Sequence, residues 1–391
     1  WLVWIRNWDI DRQSVYRYRQ PLLLPAGSVL HMRYIYDNSA NNVHNPNAPP
    51  IRVQAGNRSV DEMAHLWLQV LPVHTPPSAP DPRLLLQEAW MRNRLRRSPQ
   101  DRVGLYNLAA ALAGQGRFTQ AAEVYRQELA LDPRDTRALT ALGAALESAN
   151  QPLQAEEQYR AAVAADATGK FAACDARFDL ANLELRRQEL RSAEDDFRAQ
   201  LSACADDAET HAGLGEVLAA EGQTEAAQAE FRRSLALDPR SEPALLGLGQ
   251  SEAGSGDFDA AVRHLSAAVR LDPASADAHE QLARAYAQSG SLDKALLELQ
   301  KTAQLRPSDP LVHSALAQVL AATGNVKQAI AEQQAALHLL DDDPDGWNNL
   351  GVLQARSGDT GAARQAFEHA LRLQPDHAQA KANLARLDAQ R

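Results

Sequence analysis

Apolar and small residues recur through most of this chain with a period of 34 residues. Each unit has Leu at its seventh place, Gly or Ala at its eighth and Ala at its twentieth, with a turn residue, usually Gly, at its fifteenth. Small residues at the eighth and twentieth places would let two antiparallel helices approach closely, and glycine suits the turn between them. A Pro near the end of most units would stop the second helix. The pattern therefore predicts a helical hairpin in each unit.

Eight copies of this unit follow one another in phase, apart from four extra residues at 170–173. They span 102–135, 136–169, 174–207, 208–241, 242–275, 276–309, 310–343 and 344–377. No single hairpin can bury its apolar face alone, so the units are expected to stack into a solenoid. Residues 83–101 are predicted to form a leading half-repeat helix, and 378–391 a polar capping helix.

The repeat resembles the tetratricopeptide repeat family, on segments such as "LYNLA", "LTALG", "HEQLA" and "WNNLG". The resemblance implies a mostly α fold: a right-handed superhelical solenoid whose concave groove, lined by the first helix of each unit, binds a protein or peptide. The inward positions it implies are Asn107, Asn182, Arg186, Glu216, Gln250, Gln281, Arg284, Gln318, Asn349 and Arg356.

The kind of partner stays open at this level. Some members of the family hold a carboxyl terminus with a paired Lys and Asn, but the first unit has Tyr106 and Ala110 at those places. An Ala-lined scaffold without one defined peptide site is an equal alternative.

Cys174 and Cys204 are the only cysteines, at the first and thirty-first places of one unit. The start of the first helix and the end of the second lie at the same end of a hairpin, so the two could come within disulfide reach. The alternative is that both are small packing residues. A disulfide would favour an oxidising compartment, periplasmic or secreted.

His211, His279 and His313 occupy the fourth place of their units, where packing against a neighbouring helix is the expected role. Equivalent places lie roughly one helix diameter apart, about 10 Å, which is too far for one shared metal ion. Residues 81–391 contain no phosphate-binding Gly loop, CxxC or HExxH motif, so no catalytic residue is predicted there.

Charge and hydropathy narrow the partner class further. The net charge of the chain is −10. Residues 1–80 contain 7 Arg and 5 Asp or Glu and therefore have a net charge of +2. The remainder therefore carries −12, which disfavours nucleic acid or an anionic membrane as its partner. No apolar run approaches the length of about 18 residues that a membrane-spanning helix needs.

Residues 1–72 follow a different pattern, that of short β-strands. In "SVLHMRYIYDN" the apolar and polar residues alternate, and "LPAGS" and "DNSANNVHNPNAPP" are turn-like. About five strands are predicted, a partial antiparallel sandwich followed by a Pro-rich linker at 73–82. Because strand-like sequence begins at Trp1, we expect this chain to be part of a longer protein.

The segments "WDIDRQSVYRYRQPLLLPAGSVL", "YDNSANNVHNPNAPPIRV" and "GNRSVDEMAHLWLQV" resemble the C-terminal jelly-roll domain of the copper type II, ascorbate-dependent monooxygenases. The resemblance makes Met63, in "DEM", a candidate copper ligand; its two histidine co-ligands would lie before Trp1. A thioether suits Cu(I). The family usually has a disulfide-forming Cys after this Met, where this chain has Ala64.

Two other interpretations of Met63 remain open. It could be an ordinary apolar strand residue, or it could join the local His65 and His31. Met63 and His65 on one strand lie about 6–7 Å apart, which makes a poor site.

The function expected of this chain alone is a protein-interaction scaffold, not an enzyme, and it is expected to need no cofactor. The alternative is that a longer parent hydroxylates C–H bonds with copper and dioxygen while the repeats recruit its substrate or partner.

Overall fold

The computed structural model describes residues 81–165, 174–204 and 206–389, and every residue in a regular element there is helical. The predicted β segment at 1–72, with Met63, lies outside the described residues. Residues 84–391 form one compact unit. The helices are α1 (Pro82–Arg97), α2 (Arg102–Gly114), α3 (Phe118–Leu129), α4 (Thr136–Ser148), α5 (Pro152–Ala165), α6 (Cys174–Arg186), α7 (Leu190–Ala203), α8 (Ala208–Ala220), α9 (Thr224–Leu237), α10 (Glu242–Gly254), α11 (Phe258–Leu271), α12 (Ala276–Gln288), α13 (Leu292–Leu305), α14 (Pro310–Ala322), α15 (Val326–Leu339), α16 (Pro344–Arg356), α17 (Thr360–Leu373) and α18 (Ala378–Ala389).

Helices α2 to α17 pair as eight consecutive hairpins, each packed on the next. The predicted solenoid of stacked helical hairpins is confirmed. Even-numbered helices also contact one another, as in α4 with α6 and α8 with α10, whereas no described pair of odd-numbered helices does so comparably. The even-numbered helices, the first of each unit, therefore line the inner side of the curve.

In several units a large side chain of a second helix packs into the space that a glycine leaves on a first helix. Phe231 of α9 is fully buried between Gly215 of its own hairpin and Gly247 of the next. A Cβ on Gly143 would lie 2.5 Å from the Tyr159 ring, closer than real contacts allow. The alanines at the twentieth place are also fully buried. They are Ala121, Ala155, Ala193, Ala227, Ala261, Ala295, Ala329 and Ala363, each 0 % exposed. The close helix approach predicted from the small residues is confirmed.

The turn at the fifteenth place needs a left-handed backbone. Six units have Gly there, with φ between 75° and 87°. The second and third units have Asn150 and Gln188 instead, with φ of 60° and 62°. A side chain in this region is disfavoured, and Asn tolerates it better than Gln. The left-handed backbone at this turn is therefore kept in the two units that lack the glycine.

Candidate interaction surfaces

The ten inward positions all lie on the inner, even-numbered helices, from α2 to α16. None of them is buried: six are exposed and four are half-buried. Five occupy the ninth place of consecutive units and form a row that we call the ninth-place row. Its members are Asn182, Glu216, Gln250, Arg284 and Gln318. The row puts amide and charged side chains on five consecutive inner helices, α6 to α14.

Several inward side chains already have partners within the protein. The Asn182 Nδ2 donates to the Phe178 carbonyl at 2.9 Å, and the Arg284 Nη2 donates to Glu280 at 3.2 Å. The Arg356 Nη2 donates to the Ala321 carbonyl at 3.2 Å. These contacts hold the side chains in place, while part of each side chain stays exposed to solvent.

The inner helices α4, α6 and α8 carry several acidic side chains, among them Glu147, Asp179 and Glu216. Burial raises the pKa of Asp179 to about 6, with further contributions from the charges of Glu147 and Asp175 that outweigh Arg186. Arg186 itself forms an ion pair with Glu147. Desolvation by neighbouring atoms also raises the pKa of Glu216, although its side chain is exposed.

Tyr106 lies near the N-terminal end of the inner surface. Its ring contacts that of Tyr125 edge to face at 5.5 Å, and the Arg137 guanidinium lies 4.4 Å above it. Cation–π contacts of this kind favour a fixed aromatic position. The place where a carboxylate clamp would need a lysine is therefore occupied by an aromatic cluster.

The third hairpin contains the two cysteines and one buried acid, Glu184. Cys174 and Cys204 are joined by a disulfide with a Cα–Cα distance of 6.0 Å. In the same hairpin Glu184 is 1 % exposed, and burial, with the charge of Asp196 next, raises its pKa to about 7. The Arg160 guanidinium donates to Glu184 at 3.3 Å. This hairpin therefore combines a disulfide with a buried carboxyl group whose ionisation is unfavourable.

The fourth-place histidines pack as expected, but each also has a carboxylate partner that the sequence analysis missed. The Nδ1 atoms of His211, His279 and His313 lie 2.6, 2.6 and 2.7 Å from a glutamate on the second helix of the same hairpin. The glutamates are Glu230, Glu298 and Glu332. The His and the Glu are 19 residues apart in all three pairs, and this repeated spacing is the sequence signal that could have revealed the pairs.

The contact with Glu332 also changes the pKa of His313. Burial by itself would lower the pKa of His313, but the hydrogen bond to Glu332 and the Pro307 carbonyl outweigh it and the pKa is raised. Within the described residues, no cluster of three or more His, Cys, Asp or Glu side chains is suited to hold a metal ion. No helix in that part of the chain is long and apolar enough to cross a membrane.

The repeats of this chain match known protein families. Family models described as tetratricopeptide repeat match residues 106–170, 208–241, 252–319, 310–332 and 344–377. These ranges together cover more than half of the chain, and they do not bear on residues 1–105. No curated protein sequence matches the chain.

Many solved structures are similar. One is the APC/C hetero-tetramer Cut9-Hcn1, with 15% identity over 77% of this chain and a TM-score of 0.52. This chain spans 58% of the length of that one, and the likeness shows the fold alone. PilF of Pseudomonas aeruginosa is 21% identical over 56% of this chain and 97% of its own, with a TM-score of 0.49. YrrB, described as a TPR protein with an unusual peptide-binding site, is 25% identical over 48% and 94%, with a TM-score of 0.38.

Proposed function

Because this chain carries an array of tetratricopeptide repeats, we propose that it is a scaffold that binds an extended segment of another protein along its inner surface. The observation that carries the proposal is the ninth-place row on α6 to α14. Amide side chains both donate and accept hydrogen bonds, which suits the backbone of an extended peptide. The −12 charge of residues 81–391 disfavours nucleic acid as the ligand.

The row also sets the length of the proposed ligand. Neighbouring first helices pack about 10 Å apart, and an extended chain advances about 3.3 Å per residue, so each repeat matches about three ligand residues. Five positions therefore span about twelve residues. Glu216 and Arg284 lie two repeats apart, which favours a basic and an acidic ligand residue separated by about six positions.

The test begins with peptides of twelve residues selected from a random library on the intact chain, measured by fluorescence anisotropy. We expect R284E to lower the affinity for the selected peptides by about tenfold. A peptide in which the acidic residue is changed to Lys should bind R284E again with the original affinity. The matched control is R270E, because Arg270 is exposed on the second helix α11. Equal weakening by both variants would contradict binding on the inner surface.

For residues 1–72 we infer a separate role, as the tail of a copper-dependent monooxygenase domain in a longer parent. It rests on the sequence resemblance and on Met63. The chain alone is expected to lack a tight copper site. A copper titration tests this: a submicromolar site that is lost in M63A would contradict the expectation and would show that the ligands lie within this chain.

A further inference from the structure

Three histidines on the inner helices place both ring nitrogens against hydrogen-bond acceptors. They are the fourth-place residues of α8, α12 and α14, namely His211, His279 and His313. The Nδ1 atom of each lies against the twenty-third-place glutamate of the second helix. The Nε2 atom of His211 lies 2.6 Å from an oxygen of Asp206. In the other two, Nε2 lies 3.3 and 3.2 Å from the carbonyl oxygens of Pro273 and Pro307.

These contacts determine the protonation state that suits the three side chains. A neutral imidazole has one N–H donor and one acceptor nitrogen, whereas an imidazolium has two donors. Carboxylate and carbonyl oxygens only accept, so a neutral ring would set two lone pairs against each other at one of its contacts. The three rings therefore satisfy both contacts only as cations. His211 and His279 are 8 % and 6 % exposed, so little water reaches a contact that is lost.

Each of these side chains also joins three segments of the solenoid. The His lies on a first helix, its glutamate lies on the second helix of the same unit, and its third partner lies near the end of the preceding unit. A hydrogen bond from an imidazolium to a carboxylate is roughly twice as strong as a neutral one. Protonation therefore strengthens the packing within three hairpins, and between each of them and the hairpin before it.

Few other charges contact these histidines. In the described part of the chain, His279 and His313 form one ion pair each, with their glutamates. His211 forms two, and Arg233 shares the Asp206 carboxylate with it. In unstructured peptides carboxyl side chains titrate near pH 4 and histidine near pH 6.5, so histidine is the group in these contacts that changes charge between about pH 6 and pH 8.

Two other units make similar contacts with a fourth-place group that does not titrate near neutral pH. In the third unit Arg177 faces the twenty-third-place Asp196, 3.8 Å away. In the eighth unit the Trp347 Nε1 donates to the Asp341 carbonyl at 2.8 Å, and the twenty-third place is Ala366. The repeat can therefore be built without histidine at this place, and the three histidines add a pH dependence that the fold does not require.

We propose that the three histidines form pH-dependent clamps, which hold α8, α12 and α14 to the preceding hairpins near pH 6 and release them near pH 8. Burial alone would lower the pKa of His313, but the hydrogen bonds to Glu332 and the Pro307 carbonyl and the charge of Asp309 raise it. The stabilisation by this clamp is therefore complete below about pH 6.5 and is lost as pH rises through the higher folded-state pKa.

The clamps also bear on the inner surface. The clamped helices carry Glu216, Arg284 and Gln318 of the ninth-place row, each five residues after the histidine of its helix. Looser stacking makes the row less preorganised, so the affinity for an extended peptide should fall between pH 6 and pH 8. This consequence rests on the proposed function, whereas the clamps themselves do not.

Amide hydrogen exchange of the intact chain at pH 6, 7 and 8, corrected for intrinsic rates, tests the clamps. It needs no ligand, so a negative result is distinct from failure of the proposed function. Protection of α8, α12 and α14 should fall by about tenfold from pH 6 to pH 8, the change that loss of one charge-assisted hydrogen bond produces. The first hairpin, with Leu105 and Val124 at the two places, is the internal control. Unchanged protection in the three helices, or an equal fall in α2 and α3, would overturn the proposal.

Two variants of the seventh unit separate its clamp from a general effect of pH. H313R introduces the type of cation that the third unit has at this place, and H313W/E332A introduces the pair of the eighth unit. In both variants the protection of α14 and α15 should no longer depend on pH, while α12 of the same molecule keeps its dependence. If one variant does not fold, the other decides the outcome. A pH dependence of α14 that survives in a folded variant would refute the clamp.

Discussion

Glu184 in the third hairpin provides the sharpest stability prediction. Its side chain is 1 % exposed on α6, it accepts one hydrogen bond from Arg160, and its Oε2 has no partner within the described residues. Burial, with the charge of Asp196 next, raises its pKa from 4.5 to about 7. The variant E184Q keeps the shape of the protonated acid and cannot ionise.

The raised pKa of Glu184 determines the sign and the magnitude of the pH dependence of stability in the third hairpin. Because the folded state binds the proton more tightly than the unfolded state, the stabilisation is complete below about pH 4.5 and is lost as pH rises through about 7. The interval between the two pKa values corresponds to about 3 kcal/mol at pH 8. We therefore expect the third hairpin of E184Q to gain about 3 kcal/mol over the wild-type hairpin between pH 4.5 and pH 8.

Amide hydrogen exchange is the suitable assay, because repeat arrays open unit by unit and a global melting curve would dilute a local effect. Protection in α6 and α7 would be compared between E184Q and the wild-type chain from pH 4.5 to pH 8, after correction for intrinsic rates. E157Q is the control, since Glu157 is exposed on the neighbouring α5. A difference in protection that does not change with pH would refute the reasoning.

Three further predictions concern other parts of the solenoid. The double variant C174S/C204S should destabilise the third hairpin by roughly 3–4 kcal/mol, measured by hydrogen exchange, and reductant should have the same effect on the wild-type chain only. G143A should lower the free energy of unfolding by about 1–3 kcal/mol because its Cβ would meet a tyrosine ring at 2.5 Å, whereas G254A, with no atom within 4 Å, should be neutral or stabilising in chemical denaturation. E332Q should lower the pKa of its histidine partner in the seventh unit, observed by NMR titration, and should reduce stability at pH 6 but not at pH 8.5; an unchanged histidine pKa would contradict the ion pair.

The pairing of the fourth and twenty-third places was present in the sequence but hidden by its spacing. Helical periodicity relates residues three or four apart, so a partner 19 residues away on another helix gives no local signal. Comparing the units with one another would have found it, since His occurs at the fourth place only where Glu occurs at the twenty-third.

The sequence by itself determined the helical hairpins and their stacking. These features depend on local rules that recur in phase eight times: small residues where helices touch, a left-handed turn, and a proline at the end of most units. The tertiary structure alone decided that the two cysteines are joined and that Glu184 is buried away from water. Each of these depends on atoms from separate helices, and therefore on the distance and burial that packing creates between residues far apart in the chain.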